Sequence, residues 1–328
     1  MPRERIVIAL GGNAILQPGQ KGTSEEQAAN VDVACKGIAR LIAEGAEVVL
    51  THGNGPQVGN ALIRSEESAQ IIPPSPLHVC GAQTQGELGF YIQKSLGNNL
   101  TLNKHPRPVV TVVTQTLVDA DDPAFQNPTK PVGPFYTPAK AAKIMETRGW
   151  VMVEDSGRGW RRVVASPKPL ELIEAPAIRR LVDSGAVVVA SGGGGIPVRR
   201  CEDGTLTGVE AVIDKDLAGA VLARDVEATK FIVLTDVDGA YINFKRPDKK
   251  LLRRLDTVEA ARLMQEGQFG TGSMGPKIQA AMSFAESTGK PALITSLGAL
   301  EQALSGKTGT VVVAAEAKSV CSRSADGM

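Results

Sequence analysis

Three glycine turns and three lysines are the residues of this chain whose types and spacing could do chemistry. Gly11-Gly12-Asn13, Gly53-Asn54-Gly55 and Gly192 to Gly195 each close a short apolar run. Glycine lets backbone approach a ligand, and bare amides ahead of a helix make a cradle for an anion. One such turn reads as a tight turn and nothing more. Three at equivalent places point to a shared anion site, with Gly193 and Gly194 contributing from the third. Phosphoryl transfer without a covalent step needs that cradle, plus positive charge to neutralise the transferring group. Lys215 stands in Ala211-Val212-Ile213-Asp214-Lys215-Asp216, an apolar strand-like run that turns acidic just before a helix. Lys277 follows Gly275-Pro276 at a helix start, where an idle lysine would oppose the dipole. Lys130 is set between Pro128 and Pro131. A lone lysine is ordinarily a solvated surface charge; rigid or charged flanks set these three apart.

The elements that must position these residues follow a repeated rhythm. Ile6 to Leu10 reads as a buried strand feeding the first turn, and a helix starts near Ser24, with Gln27 completing a capping box. Val31, Cys35, Ile38, Leu41 and Ile42 form its apolar stripe, and Gly45 suits its C-terminal cap. Glu47 to Thr51 is a second strand, leading through the second glycine turn to another helix. Strand, turn and helix in this order predict a parallel sheet with crossover helices. Further strands are predicted at 109–114, 186–190, 231–235, 292–295 and 310–313, and helices at 173–183, 257–266 and 276–287. Turns at the carboxyl ends of parallel strands converge on one sheet edge, where ligands bind. The proline-rich stretch of about 120–168, with one helix at 139–148, breaks the rhythm and reads as an inserted subdomain or lid. The small, polar segment 314–328 reads as a flexible tail, and the Pro73-Pro74-Ser75-Pro76 loop takes no assignment.

Composition excludes several classes. Lys plus Arg (36) nearly cancels Asp plus Glu (35), and aromatics are 4%, which argues against a nucleic-acid stripe or a base-stacking platform. Cys35, Cys80, Cys201 and Cys321 lie far apart and only three histidines are present, so neither a disulfide framework nor a structural metal site is expected. No apolar run approaches the roughly 20 residues that span a bilayer, and the first residues carry no signal-like region. The expectation is a protein of a reducing compartment, the cytoplasm.

Two sequences imitate other phosphate sites. Gly306-Lys307-Thr308 ends like a P-loop, but Glu301 holds the leading glycine position and a terminal strand follows. Gly53 to Gly59 resembles a dinucleotide fingerprint with one extra residue, stiffened by Pro56. Neither reading finds further support. No nucleophile elbow is present, and His52 is the one histidine placed for acid–base work, where a structural role serves equally.

The segments Val7 to Ala14, His52 to Gly59, Asn127 to Pro134, Glu154 to Arg162, Gly192 to Pro197, Gly208 to Asp216 and Gly272 to Lys277 resemble those of the carbamate kinases. They do so in order over about residues 4–313. The resemblance implies the amino acid kinase fold: an α/β protein, an open αβα sandwich around a mainly parallel sheet, with a small protruding subdomain, commonly as a homodimer. It implies an N-terminal lobe (1–220) for the phosphoryl acceptor and a C-terminal lobe (221–313) for the nucleotide. Gly11, Gly12, Asn13, Gly53 and Asn54 would then bind carbamate and the transferring group. Lys130 would reach in from the subdomain, Lys215 and Lys277 would stabilise the transition state, and Asp216 would orient them. Thr235, Asp236, Val237 and Asp238 would begin the nucleotide site, with Tyr241 and Met274 as walls for adenosine. The implied reaction is reversible, ATP and carbamate giving ADP and carbamoyl phosphate with Mg²⁺, in catabolism of arginine or related nitrogen compounds. Many amino acid kinases carry a lysine where this chain has Ala9, as carbamate kinases do. Rival readings are another small-acid kinase, such as an acetylglutamate or glutamate kinase, a non-catalytic nucleotide sensor, and a redox enzyme.

Overall fold

The computed structural model describes residues 4–155, 157–270 and 272–316. In chain order, Arg5–Leu10 (β1) is followed by Ser24–Ala43 (α1), Glu47–His52 (β2), Gly55–Glu67 (α2) and Leu77–Leu102 (α3). Val109–Thr111 (β3) and Gln115–Val118 (β4) precede Lys130–Tyr136 (β5), Pro138–Arg148 (α4), Met152–Glu154 (β6), Trp160–Val164 (β7) and Pro169–Leu172 (β8). Ala175–Asp183 (α5), Val187–Val189 (β9), Ile196–Arg200 (β10) and Leu206–Gly208 (β11) lead to Lys215–Asp225 (α6). Lys230–Thr235 (β12), Tyr241–Ile242 (β13), Lys250–Leu251 (β14), Arg254–Asp256 (β15) and Thr257–Gln265 (α7) come next. Met274–Thr288 (α8), Ala292–Ser296 (β16), Leu300–Leu304 (α9) and Thr310–Val313 (β17) complete the fold.

The main sheet runs β15-β17-β16-β12-β1-β2-β9-β3. Its pairs are parallel except β16 with β17. Strands covered on both faces read as unbroken apolar runs, and Ile6 to Leu10 is buried throughout. Alternation sends Val7, Ala9, Val49, Phe231 and Val233 to one face, against Ile178 of α5, Leu222 of α6, Ala260 of α7 and Phe284 of α8. Ile6, Ile8, Leu10, Val48 and Leu50 face the other way, against Ala34, Cys35 and Ile38 of α1 and Leu88, Ile92 and Leu96 of α3. The result is an αβα sandwich. Each fully buried aliphatic or aromatic side chain contributes about 1.5–3 kcal/mol through area removed from water.

Three smaller sheets accompany it, one of them the two-stranded pair β13-β14. β11-β10-β4-β8 links the main sheet to the lid, which is an antiparallel sheet, β5-β7-β6, with α4. The lid has its own core of Tyr136, Ala141, Ile144 and Met152. Val132 and Val164 fasten it to Val58, Leu62, Leu77 and Cys80.

Several expectations are corrected. The capping box of α1 is Thr23 with Glu26, so Ser24 is the first helical residue; Gln27 instead donates to the Gly22 carbonyl and accepts from Gln57. The strand expected at 109–114 stops at Thr111, because Gln115 departs into the second sheet. The helix expected from Ile173 begins at Ala175, and the apolar run before Lys215 forms only a single bridge, Ala211 with Ala165. The long helix α3 was not foreseen. Of the tail, 317–328 lies outside the described residues, as does Cys321.

Candidate active site

The chain leaves β1 to build β2, β9 and β3 on one side, and later adds β12 and β16 on the other. The carboxyl ends of β1 and β12 therefore flank a topological switch point, the usual ligand crevice of such a sheet. At Gly11, just beyond β1, an added Cβ would stand 2.9 Å from the Leu234 carbonyl oxygen of β12. Only glycine allows the two strand ends to come this close. Gly12, Asn13 and Ala14 form a 3-10 turn next to it, whose first amides have no partner within the turn.

The second and third turns interlock. Asn54 donates from Nδ2 to Thr84 Oγ1 at 2.8 Å, and a methyl at Gly193 would overlap the Asn54 amide. Gly193 has φ 67° and Ser191 φ 53°, so the turn needs left-handed backbone, and at Gly193 no other residue fits. Gln85 of α3 ties the turn down, donating to the carbonyls of Thr114 and Gly192 at 3.1 Å each and accepting from the Thr114 amide at 2.8 Å. The His52 ring is buried against Gly192 and hydrogen-bonded through Nδ1 to the Gly53 carbonyl at 3.0 Å. Burial pushes its imidazole down to about 4, and the nearby Lys215 charge acts in the same direction. His52 is neutral at physiological pH and serves as packing.

Two of the three lysines meet at one carboxylate. Asp214 caps α6, accepting at Oδ1 from the amides of Asp216 (2.9 Å) and Leu217 (3.4 Å). Lys215 and Asp216 thus open the helix in fixed positions. Asp216, 3% exposed, accepts from Lys215 at Oδ1 (2.5 Å) and from Lys277 of α8 at Oδ2 (3.0 Å). Burial alone would raise its carboxyl, but the charges and hydrogen bonds of the two lysines outweigh burial and hold it below the ordinary value. The Lys215 stem lies against the second turn: an added Cβ at Gly53 would stand 3.2 Å from Lys215 Cδ and 3.8 Å from the Gly12 nitrogen. Lys130, on the first residue of β5, reaches from the lid to Asp214 Oδ2 at 3.1 Å.

Beside this cluster is a cavity of about 450 Å³ lined by Thr235, Asp236, Val237, Tyr241, Met274 and Lys277, among others. Five residues expected in a nucleotide site from the resemblance, Thr235, Asp236, Val237, Tyr241 and Met274, share this wall. Asp238 is not in the lining. It accepts from the Tyr241 hydroxyl (2.7 Å) and from Thr308 (2.9 Å), holding the ring in place. The tyrosine hydrogen bond holds the Asp238 carboxyl below its usual range, against slight desolvation. The Gly306-Lys307-Thr308 loop is therefore a buttress, with the Lys307 amide spent on the Gln302 carbonyl. A second cavity, about 530 Å³, opens between Asn54, Gly55 and Pro56 on one side and Lys130 and Pro131 of the lid on the other.

Gly11, Gly12, Asn13, Gly53, Asn54, Gly193 and Gly194 line one edge of the sheet, with Lys215 among them. Lys130 approaches from the lid and Lys277 from the cavity. Sequence reasoning missed Thr84, Gln85 and Asp214. An aspartate followed by a helix is an N-cap signal that could have found Asp214; nothing local marks Thr84 or Gln85.

The amino acid kinase family profile matches residues 4–296. The carbamate kinase of Thermococcus kodakarensis is 55% identical over 313 residues, 94% of this chain and 99% of that protein. That of Pyrococcus horikoshii is 53% identical over 311 residues, with 94% and 99% covered. Among solved structures, carbamate kinase from Giardia lamblia bound to AMP-PNP superposes with a TM-score of 0.91 at 45% identity, covering 96% of this chain and 99% of that one. N-acetylglutamate synthase from Neisseria gonorrhoeae, at 17% identity and a TM-score of 0.58, shares the fold alone. The chain belongs to the amino acid kinase family, among the carbamate kinases.

Proposed function

We propose that the chain transfers a phosphoryl group reversibly between ATP and carbamate, giving ADP and carbamoyl phosphate. One observation carries the reading: Asp216 divides its two oxygens between Lys215, which lies against the glycine turns, and Lys277, which lines the cavity. The nucleotide enters the cavity walled by Thr235, Asp236, Val237, Tyr241 and Met274. Carbamate lies on the turns of Gly11, Gly12, Asn13, Gly53 and Asn54, backed by Gly193 and Gly194. A carbamate oxygen attacks the γ-phosphorus as the bond to the β,γ-bridging oxygen breaks, and the electron pair leaves on ADP. The anion needs no base, so the protein contributes alignment and charge. Lys215 and Lys277 stand on either side of the transferring group, and Lys130 supplies a third charge from the lid. The main acceptor elements then lie in residues 1–220 and the main nucleotide elements in 221–313, with Lys215 and Lys277 at the junction.

Among the described residues, no cluster of three His, Cys, Asp or Glu side chains could cage a metal, while Asp236 lines the nucleotide cavity. This donor set suits Mg²⁺ carried on the nucleotide phosphates with most of its water kept. Bound there, the ion spreads charge on the β- and γ-phosphates.

Ala9 is fully buried in β1, so no lysine projects from that position toward an acceptor. This favours carbamate over a larger acid. The catabolic direction, the homodimer and the cytoplasmic setting extend the reading on the strength of the resemblance. Buried free thiols at Cys35 and Cys80 agree with a reducing compartment, and no described helix is long and apolar enough to cross a membrane. The deciding measurement is ATP formation from ADP and carbamoyl phosphate with Mg²⁺, by the wild type and by Lys215→Ala. Turnover that collapses in the variant supports reaction and site together. A folded, ADP-binding wild type that makes no ATP overturns the acceptor.

A further inference from the structure

The segment between β11 and α6 carries two carboxylates that both hold lid cations. Asp214, at its end, holds Lys130 at 3.1 Å. Glu210, four residues earlier, holds Arg162 of β7, with Oε2 accepting at 3.0 Å. Between them the backbone runs along the lid: Ala211 bridges Ala165, and the Val212 amide donates to the Ala165 carbonyl at 3.0 Å. Glu210 is also tied to the body, since Oε1 accepts from the Leu77 amide at the start of α3 at 2.8 Å, with His78 Nδ1 3.7 Å away. Arg162 in turn lies over the Trp150 ring, 4.2 Å from its centroid. One half-exposed carboxylate thus joins three parts: the lid strand, the N-terminus of α3, and the segment that delivers Asp214, Lys215 and Asp216.

We infer that Glu210 is a positioning residue for phosphoryl transfer, a latch that sets the place of Lys130 relative to Lys215 and Asp216 by holding Arg162. Glu210 lines a different cavity from those assigned above, of about 520 Å³, together with Arg162 and Trp150. Its effect on the chemistry passes through the lid. Misplacing a transferring group or its partner by about 1 Å can cost on the order of a hundredfold in rate. A latch of this kind therefore shows in kcat. The nucleotide cavity lies on the far side of Lys277 and draws no residue from the lid, so the KM for ADP is spared. The inference rests on the transfer reaction proposed above.

The experiment compares Glu210→Ala, Arg162→Ala and the double variant with the wild type, in ATP formation and in acrylamide quenching of intrinsic fluorescence. Both tryptophans of the sequence, Trp150 and Trp160, lie in or against the lid, so quenching in Glu210→Ala, which keeps Arg162, reads the lid, whereas in Arg162→Ala it also registers the lost cover of Trp150. Each single variant is expected to lower kcat by between about ten- and a hundredfold, with the KM for ADP unchanged and quenching increased. The double variant is expected to lose no more than either single, as a pair acting as one unit requires. Wild-type kcat and quenching in Glu210→Ala overturn the inference, as do losses that multiply in the double variant. Should Glu210→Ala fail to fold, Glu210→Gln keeps an acceptor for the Leu77 amide while removing the charge facing Arg162, and is judged by the same criteria. A wild type without turnover fails the proposed reaction instead, and the quenching comparison still decides whether Glu210 holds the lid.

Discussion

Lys277 Nζ lies 3.0 Å from Asp216 Oδ2 across 61 residues of sequence. The other Asp216 oxygen is occupied by the adjacent Lys215. A carboxylate this buried is costly unless paired and hydrogen-bonded, and here both requirements are met by Lys215 and Lys277. Both ammonium groups are thereby tied to a single carboxylate.

Asp216→Asn removes the charge that gathers the lysines and leaves two cations facing a neutral amide. We expect kcat to fall by about 10²–10³, the scale of losing one well-placed electrostatic contact, measured as ATP formation at saturating ADP and carbamoyl phosphate. The carboxyl is held below its ordinary value, so its contribution to stability is fully present above about pH 4 and is lost only as pH falls further. A rate of the Asn variant within threefold of wild type would remove Asp216 from the site.

Lys130→Ala is a cleaner test of the lid than excision of the lid. Removing residues 124–166 would strip Val132 and Val164 from the cluster with Val58, Leu62, Leu77 and Cys80 and expose it. The Lys130–Asp214 pair is partly exposed on its lysine side, and solvent-screened pairs contribute about 0–1 kcal/mol. Lys130→Ala should therefore melt like the wild type while losing about 10²–10³ in kcat. Full activity in a folded variant would leave the lid without a chemical part.

His52 gives a pH signature of stability. Its folded-state value is lowered from 6.5 to about 4 by burial, so the unfolded chain takes up a proton first as pH falls. Stability is complete above about pH 6.5 and declines toward pH 4, by up to about 3 kcal/mol at 1.36 kcal/mol per unit. Urea unfolding across this range should show the decline, and a folded His52→Asn variant should flatten it.

Asp238→Asn weakens the hydrogen bond that fixes the Tyr241 ring on the cavity wall. We expect the KM for ADP to rise several-fold with kcat nearly unchanged, the pattern of lost ground-state binding. An equal fall in kcat would instead draw Asp238 into the chemistry.

Gly193→Ala forces a methyl into the Asn54 amide at a left-handed backbone position. Strain of this kind costs about 1–3 kcal/mol, and we expect a lowered thermal midpoint together with lost turnover, because Asn54 must move from Thr84. A methyl at Gly12 meets nothing within 4 Å, so Gly12→Ala should be stable and provides the comparison.

The sequence by itself determined seven of the eight strands of the main sheet, missing only the short β15, together with the three glycine turns and the three candidate lysines, for a local reason. A buried parallel strand is an unbroken apolar run, and a turn where backbone must approach a ligand or another strand shows as glycine. The stripe of α1 was equally legible, since 3.6-residue periodicity is written in consecutive residues. Tertiary structure decided what the lysines do together. Nothing near Asp216 in the chain says that Lys277 will share it, nor that Lys130 will meet Asp214 from a separate sheet. The helix α3, with its weak amphipathic pattern, buries Thr84 and Gln85 under the turns. The Thr84 hydroxyl donates locally to the Gly81 carbonyl, but its acceptor side and the Gln85 amide find partners only when Asn54, Thr114 and Gly192 come to them across the fold. Periodicity and turn chemistry act between near neighbours, whereas a buried charge or amide is settled by whichever partner the packing of distant elements supplies.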